Sequence, residues 1–288
     1  MQLPANLSTK PDSDSSAEWL ARFRIAVVIP CYKVQREIEG VLSSIPTYVS
    51  HIVVVNDASP DSTRAIVEKV AGFDQRILLL NHTSNQGVGG AMITGFKAAI
   101  ELGAQVVVKM DGDGQMKAND LPDLVIPLIH GEADYTKGNR FRDFQALRQM
   151  PWLRRVGNTG LSFLVKVATG YWNCFDPCNG FVAIRGDVLA QIPLDKIHRS
   201  YFFETSMLSQ LNLLHALVRD IPLPASYGNE VSNLSIKKVM IEFPPRLLAV
   251  FLRRLVLKNF VYDFTLESVH LLAGLPMLLA GLGYGGYN

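Results

Sequence analysis

The chain has 288 residues, of which 48% are hydrophobic, and a formal net charge of +2 at pH 7. This length allows one large α/β domain with an appendage, or two small domains. A net charge so close to zero provides no overall attraction to nucleic acid, so a nucleic-acid-binding protein is not expected.

The first 24 residues are polar, rich in Ser and Asp, and lack the apolar core of a signal peptide. Such a composition cannot bury enough apolar surface to fold, so residues 1–24 are predicted to be a mostly disordered tail. Without a signal peptide, the catalytic part is expected on the cytoplasmic side of the cell membrane.

Short apolar runs alternate with helical patterns over residues 25–130. Strands are predicted at 25–29, 51–55, 76–80 and 105–110, and helices near 35–45, 60–70, 88–102 and 121–130. Continuous β-branched runs between helices indicate a parallel sheet buried on both faces. Pro60 is predicted at the first position of its helix, with Ser59 as the N-cap. The order βαβαβαβ predicts a doubly wound α/β fold, in which ligands bind at the carboxyl ends of the strands.

The pattern weakens after residue 150. The remaining elements are predicted as a fifth strand at 135–137, helices at 153–168 and 203–214, and a strand at 181–184. We interpret residues 25–235 as one catalytic domain and residues 236–288 as a separate C-terminal, membrane-associated part.

Two carboxylates, Asp111 and Asp113, follow the fourth strand directly, with Gly112 between them. Glycine relaxes the backbone, so both side chains can point to one side of the turn. Together they suit a hard cation such as Mg²⁺ or Mn²⁺ that keeps open positions for phosphate oxygens. The alternative is a solvated acidic turn.

Other polar residues follow neighbouring strands. Asp57 follows the second strand, where its carboxylate can accept hydrogen bonds from a base or ribose. The alternative is an Asx turn that caps the next helix, a role that suits Asp61. The segment Gly87-Val88-Gly89-Gly90 opens a helix but lacks the third glycine of a dinucleotide fingerprint, because Met92 stands there. Its glycines are better explained by close packing and a free helix N-terminus near phosphate.

Three further side chains are candidates for the chemistry. Arg140 ends the fifth strand and could grip a phosphate, or be a surface residue. Glu204, at the start of a helix, is a candidate general base, or an acidic residue that complements the helix dipole. Asp176 is a similar candidate. None of the six histidines has catalytic spacing, so we interpret them as structural or surface residues.

These motifs resemble the successive signatures of inverting family-2 glycosyltransferases with the GT-A fold. The matching segments are residues 28–32 (VIPCY), 55–61 (VNDASPD), 85–87 (NQG) and 110–115 (MDGDGQ). Residues 138–141 (GNRF) and 176–181 (DPCNGF) resemble later signatures in the branch of dolichol-phosphate mannose synthase and bacterial polyprenyl-phosphate glycosyltransferases. The resemblance covers about residues 24–235.

The resemblance implies roles for individual residues. Asp57 would bind the base of a nucleotide-sugar, and Asp111 and Asp113 would hold Mg²⁺ or Mn²⁺ against its diphosphate. It further implies a donor-site role for four residues: Pro30 and Tyr32 in the wall of the nucleotide pocket, Gln115 near the donor, and Arg140 on a phosphate. Asp113, Glu204 and Asp176 are the candidate catalytic residues. The branch also admits a homo-oligomer.

The C-terminal part indicates a membrane. Phe243-Pro244-Pro245 is expected to break the chain before an amphipathic helix whose basic residues, Arg246, Arg253, Arg254 and Lys258, recur near one side. That composition is typical of a helix on an anionic membrane surface, the alternative being a helix that packs on the core. Residues 271–287 are uncharged and apolar. Their length is at the short limit for one membrane-spanning helix, and half of a membrane hairpin is the alternative.

The leading hypothesis is therefore transfer of a sugar from a UDP- or GDP-linked donor to a polyprenyl phosphate at the cytoplasmic membrane face. A hydroxyl acceptor on a lipid-linked glycan is the close alternative, and it would need a general base. A nucleotidyltransferase and a non-catalytic sugar-nucleotide-binding protein are the remaining alternatives.

Overall fold

A computed structural model describes residues 15–139, 152–176, 179–223, 236–262 and 264–287. The strands are β1 Ile25–Cys31, β2 His51–Asn56, β3 Ile77–Asn81, β4 Val106–Lys109, β5 Tyr135–Asn139, β6 Val182–Arg185 and β7 Val218–Pro222. The helices are α1 Ser15–Leu20, α2 Ile38–Ser44, α3 Thr63–Ala71, α4 Gly87–Glu101, α5 Leu121–Ile129, α6 Trp152–Thr169, α7 Gly186–Leu189, α8 Phe203–Leu213, α9 Ile236–Val256 and α10 Leu266–Tyr287.

Within these residues the strands form one sheet in the order β3-β2-β1-β4-β6-β5-β7. Strands β1 to β4 are parallel, as the alternation of strands and helices predicts. Strand β6 runs antiparallel to both of its neighbours, β4 and β5. Strand β7, which the sequence analysis did not predict, pairs parallel with β5. The carboxyl ends of the first four strands therefore meet at one edge.

Helices cover both faces of the sheet, and alternate residues of β1 enter different cores. Ile25, Val27 and Ile29 join the core under α2 and α5. Ala26 and Val28 join the core under α4 and α8. This two-sided burial is the reason that the first strands are continuous apolar runs rather than alternating ones.

Three local expectations are wrong. Residues 15–20 form helix α1, and Trp19 and Leu20 are buried, so this part of residues 1–24 is not a disordered tail. The rest of that predicted tail lies outside the described residues. Helix α3 begins at Thr63 with Ser62 as its N-cap residue, rather than after Ser59.

The third wrong expectation is a break in the chain at Phe243-Pro244-Pro245. Helix α9 runs through Pro244 and Pro245 without interruption. Each proline removes a backbone donor from the helix. Packing offsets this loss: Phe243 and Leu247, on either side of the prolines, are buried in the core that also contains Phe202.

Candidate functional site

A cleft of about 820 Å³ lies at the carboxyl edge of the parallel strands. Five of the predicted site residues line it: Pro30, Tyr32, Asp57, Asp111 and Asp113. Its volume lies in the range of small-molecule sites. Strand order explains the convergence, because β1 lies between β2 and β4 and all three end at this edge.

Two predicted donor-site residues are placed differently. Gln115 lies in the exposed turn after Asp113, where its backbone N–H donates to Asp113 Oδ1 at 3.0 Å. Its side chain is not part of the cleft lining. Arg140 lies outside the described residues.

The loops after β1 and β2 have a constrained backbone. Lys33 (φ +59°) and Ala58 (φ +52°) both adopt the left-handed conformation, which is uncommon for residues other than glycine. The Lys33 N–H donates to Ser59 Oγ at 2.7 Å, which ties the two loops together. Asp61 fixes the start of α3, because its Oδ1 accepts from the Thr63 N–H at 3.1 Å. The helix-capping role predicted for Asp61 is thereby confirmed.

Asp57 is buried, and both of its carboxylate oxygens accept hydrogen bonds from the protein. Oδ1 accepts from the Gln86 N–H at 2.8 Å, and Oδ2 accepts from the Gly87 N–H at 2.8 Å. His82 Nδ1 lies 2.7 Å from Oδ1, and its Nε2 lies 2.9 Å from Thr94 Oγ1. Asp57 therefore shapes the loop that leads into α4, in addition to lining the cleft.

The contact between His82 and Asp57 was not predicted. All the histidines were interpreted as structural or surface residues because none has catalytic spacing. Strands β2 and β3 are adjacent and in register, with Asn56 opposite Asn81. His82 therefore follows β3 where Asp57 follows β2. The register of the strand ends was the signal that could have placed the two side chains together.

The glycines at the start of α4 allow another backbone segment to lie directly against the helix. A methyl carbon on Gly87 would lie 2.7 Å from the Arg199 carbonyl oxygen, and one on Gly89 would lie 2.1 Å from the His198 carbonyl oxygen. The Gly90 N–H donates to the Arg199 carbonyl at 3.1 Å. Close packing is thus confirmed. The helix N-terminus is not free for phosphate, because residues 198–199 cover it.

This covering segment continues into the cleft. Ser200 and Tyr201, which follow it, line the cleft. Arg199 holds the segment through a 2.7 Å hydrogen bond to Gln86 Oε1. The sequence analysis did not single out either cleft residue, because their approach depends on a contact between segments more than a hundred residues apart in the chain.

Beneath Asp111 lies a buried lysine that the sequence analysis treated as part of a strand. Lys109 Nζ donates to Asp111 Oδ1 at 2.6 Å and to the Gly180 carbonyl oxygen at 3.1 Å. Burial alone would lower the pKa of Lys109, but the Asp111 and Glu204 carboxylates raise it above its ordinary value. Lys109 is therefore an internal cation. A charged side chain inside a strand that is buried on both faces needs a partner of opposite charge. The lysine at the end of this apolar strand was therefore the sequence feature that could have predicted the ion pair.

Glu204 lies next to this lysine and is not part of the cleft lining. Its Oε1 is 4.0 Å from Lys109 Nζ. Burial raises the pKa of Glu204, against the opposing influence of Lys109 and Lys137. Asp176, the other candidate base, is 1% exposed and does not line the cleft. The structure thus brings Asp57, Asp111 and Asp113 together at the cleft and leaves Glu204 and Asp176 out of its lining.

A second buried lysine lies beside the first. Lys137, on β5, donates its ammonium group to the Asn179 carbonyl oxygen. Asn139 Nδ2 donates to Asp220 Oδ2 at 2.9 Å, which joins the ends of β5 and β7. Burial raises the pKa of Asp220. Of these contacts, the one from Lys137 to the Asn179 carbonyl oxygen fixes the segment around residue 180, which covers Lys109.

The carboxylates that line the cleft fit a divalent cation in part. Asp111 and Asp113 supply hard oxygen ligands from one turn. Within the described ranges, no group of three or more His, Cys, Asp or Glu side chains could hold a metal ion. Mg²⁺ is commonly bound by one or two carboxylates, with substrate phosphates completing its coordination. The donor set therefore suits a cation that a diphosphate shares.

The C-terminal helices present apolar side chains outward. On α9, Leu248, Leu252 and Val256 form an exposed stripe, on a different side from the buried Phe243 and Leu247. Helix α10 contains a stretch of 21 residues, Leu266–Gly286, that is long and apolar enough to cross a membrane, with 6% of it buried.

The basic residues of α9 are not arranged as one outward stripe. Arg254 donates to the carbonyl oxygens of Ala168 and Val167, at the end of α6. Arg246 pairs with Glu242 at 3.1 Å and lies 3.5 Å from Ser200 Oγ.

This fold and site define a class of protein. Glucosyl-3-phosphoglycerate synthase from Mycobacterium tuberculosis, solved with Mn²⁺, UDP-glucose and phosphoglyceric acid, superposes with a TM-score of 0.63. The match covers 86% of this chain and 85% of that chain, at 18% identity. The architecture is that of the GT-A fold, a mostly parallel sheet with flanking helices.

Residues 26–192 match glycosyl transferase family 2, and the chain belongs to this family. It is a glycosyltransferase. A relative in Methanococcus voltae, UDP-N-acetylglucosamine–dolichyl-phosphate N-acetylglucosaminyltransferase, is 29% identical over 81% of this chain and 96% of the relative. The undecaprenyl-phosphate mannosyltransferase of Micrococcus luteus is 30% identical over 69% of this chain and 82% of the relative. The polyprenol monophosphomannose synthase of Mycolicibacterium smegmatis is 30% identical over 64% of this chain and 70% of the relative.

Proposed function

We propose that the protein transfers a sugar from a UDP- or GDP-linked donor to the phosphate of a polyprenyl phosphate, at the cytoplasmic face of a membrane and with a divalent cation. The observation that carries this proposal is the cleft in which Asp57, Asp111 and Asp113 converge. The relatives named for dolichyl-phosphate and undecaprenyl-phosphate acceptors support the acceptor class.

The donor enters with its base near Asp57 and its diphosphate near Asp111 and Asp113. A bound cation would supply charge stabilisation to the leaving diphosphate. An oxygen of the acceptor phosphate attacks the anomeric carbon as the bond from that carbon to the diphosphate oxygen breaks, which inverts the anomeric centre and releases a nucleoside diphosphate. Asp111 and Asp113 lie where negative charge develops on the leaving diphosphate. Tyr32 and Pro30 form a wall of the nucleotide pocket.

This chemistry does not require a general base. The second ionisation of a phosphate monoester has a pKa of about 6, so the acceptor is already largely a dianion near neutral pH. Neither Glu204 nor Asp176 is part of the cleft lining, which agrees with an acceptor that brings its own charge. A hydroxyl acceptor would instead need a base within hydrogen-bond reach.

The membrane part of the proposal rests on α9 and α10. Helix α10 supplies a stretch long enough to span, and the exposed stripe Leu248, Leu252 and Val256 gives α9 an apolar face toward lipid. Because α9 also packs against Phe202, near the cleft wall, it would hold the cleft next to the membrane, where a polyprenyl phosphate lies.

The test measures release of UDP or GDP by the full chain in detergent, with Mg²⁺ or Mn²⁺ and a panel of nucleotide-sugars. Polyprenyl phosphate is compared with the polyprenol of the same chain length, which has a hydroxyl in place of the phosphate. We expect turnover with the phosphate and none with the alcohol. Asp113→Asn should lower turnover about a hundredfold, because a few kcal/mol of charge stabilisation is lost.

Asp123→Asn is the matched control, since it removes an exposed carboxylate of α5 that does not line the cleft. Equal turnover with polyprenol would contradict the phosphate acceptor. Release of pyrophosphate in place of a nucleoside diphosphate would identify a nucleotidyltransferase, and nucleotide binding without any turnover would identify a non-catalytic binding protein.

A further inference from the structure

Lys109 holds one of the two carboxylates that the cleft offers to a cation. Its Nζ lies 2.6 Å from Asp111 Oδ1, while its side chain is 1% exposed. That oxygen is therefore already paired with a positive charge from inside the protein. A lysine is rarely buried so completely, and the function proposed above does not by itself require one.

Packing keeps the lysine in this position. A methyl carbon on Gly180 would lie 2.4 Å from Lys109 Nζ and 3.0 Å from Asp111 Oδ2. Because Gly180 has no side chain, its backbone covers the ion pair and accepts a hydrogen bond from Nζ at 3.1 Å. The segment over Lys109 is held in turn by the contact of Lys137 with the Asn179 carbonyl oxygen.

Glu204 gives the lysine a second partner. Its Oε1 lies 4.0 Å from Nζ. If the Asp111 carboxylate turns toward a cation, the ammonium group still has Glu204 beside it. The buried charge is therefore not left uncompensated when the contact with Asp111 loosens, which would otherwise be costly.

The charge balance of the turn follows from this arrangement. Of the two carboxylates in the turn, Asp111 already has its Oδ1 paired with the Lys109 ammonium group. Within the described ranges, no third acidic or histidine side chain completes a metal site with them. A divalent cation alone thus competes with Lys109 for Asp111, whereas the diphosphate of a nucleotide-sugar brings further negative charge and oxygen ligands.

We propose that Lys109 is a positioning residue that competes with the divalent cation for Asp111, so that the cation binds tightly only together with the donor's diphosphate. This inference rests on the metal dependence in the proposed function. It assigns Glu204 the role of alternative partner of the lysine rather than that of a general base.

The experiment measures Mn²⁺ binding to the full chain in detergent by electron paramagnetic resonance, without nucleotide and with saturating UDP or GDP. Lys109→Met removes the charge while keeping most of the side-chain volume. Without nucleotide, its Mn²⁺ affinity should rise about tenfold above that of the wild type, since the cation no longer competes with a charge at contact distance. Its turnover should fall, because Asp111 is no longer held.

Lys117→Met is the matched control, because it removes one positive charge at an exposed position in the loop that follows β4. It should leave nucleotide-free Mn²⁺ affinity within about twofold of the wild type, since an exposed charge is well screened. A purely structural role for Lys109 would lower Mn²⁺ affinity and turnover together. Tighter Mn²⁺ binding combined with slower turnover separates the two explanations.

Unchanged or weaker nucleotide-free Mn²⁺ binding in a folded Lys109→Met protein would overturn the inference. Lys109→Gln, which keeps a donor for the Gly180 carbonyl, makes the same comparison if the methionine variant does not fold. Wild-type Mn²⁺ binding that is no tighter with UDP or GDP than without would overturn it as well. The proposed function fails in a different way: the wild-type protein would then release no UDP or GDP in the polyprenyl phosphate assay, whatever the Mn²⁺ affinity of the Lys109 variants.

Discussion

Gly89 offers a sharp test of how the cleft wall is held. A methyl carbon at this position would lie 2.1 Å from the His198 carbonyl oxygen and 2.8 Å from the Arg199 carbonyl carbon. Both are backbone atoms, so neither can turn away as the end of a flexible side chain can. The hydrogen bond from the Gly90 N–H to the Arg199 carbonyl, at 3.1 Å, holds the same segment in place.

Gly89→Ala must therefore push the segment away from α4. Restoring a carbon–oxygen contact of about 3.3 Å requires a displacement of about 1.2 Å. Overpacking of this kind costs about 1–3 kcal/mol, and the better helix propensity of alanine offsets up to about 1 kcal/mol. We expect a net destabilisation of about 1–2 kcal/mol. Ser200 and Tyr201 follow directly, so kcat/KM should fall about tenfold or more, as misplacement by about 1 Å can do.

The measurements are urea unfolding in detergent and kcat/KM for the donor. Gly40→Ala is the matched control, because Gly40 lies in helix α2 with no atom within 4 Å of the added methyl group. That variant should gain about 0.5–1 kcal/mol from helix propensity and keep its kcat/KM. If Gly89→Ala behaved like Gly40→Ala, the wall would not depend on this contact and the reasoning would be wrong.

Two further substitutions test other parts of the site and fold. Asp57→Asn replaces an oxygen that accepts from Gly87 or His82 with an amide donor. It should lower the free energy of unfolding by about 2 kcal/mol and raise the donor KM, and an unchanged KM would argue against a donor role. Hydrogen bonds from Arg76 lower the pKa of Asp74, so the stability that Asp74 contributes is present above its unfolded pKa and lost as pH falls through the folded value. Asp74→Asn should therefore cost about 1 kcal/mol in urea unfolding at pH 7 and almost nothing in strong acid, whereas a constant difference would exclude this linkage.

Much of the parallel half of the fold could be predicted from local patterns. Strands β1, β2 and β4 are continuous apolar runs because they are covered on both faces, and that signal needs no knowledge of distant contacts. Strand β7 was missed because Arg219 and Asp220 interrupt its apolar residues. Only its pairing with β5 makes this segment a strand, and that pairing joins residues far apart in the chain.

The residues of the candidate site fall into the same two groups, those predictable from local patterns and those that depend on distant contacts. Asp57, Asp111 and Asp113 were predictable, because each follows a strand that ends at the same edge. The contributions of Lys109 and of Ser200 were not predicted. Lys109 reaches Asp111 from below, and Ser200 depends on a segment that crosses α4. Glu204 was predicted as a candidate general base, and its contact with Lys109 could be found only from the packed structure.

The contact between α9 and the cleft wall affects where the chain can be shortened. Phe243 packs edge-on against Phe202, with ring centroids 5.2 Å apart, and Arg246 reaches Ser200. A polypeptide trimmed at residue 235 would leave Phe202 uncovered, and we expect it to aggregate. Truncation between the π-helical turn Leu257–Tyr262 and α10 removes the apolar helix α10. The cleft wall then keeps its contacts with α9. The shortest polypeptide that folds alone should therefore extend past α9.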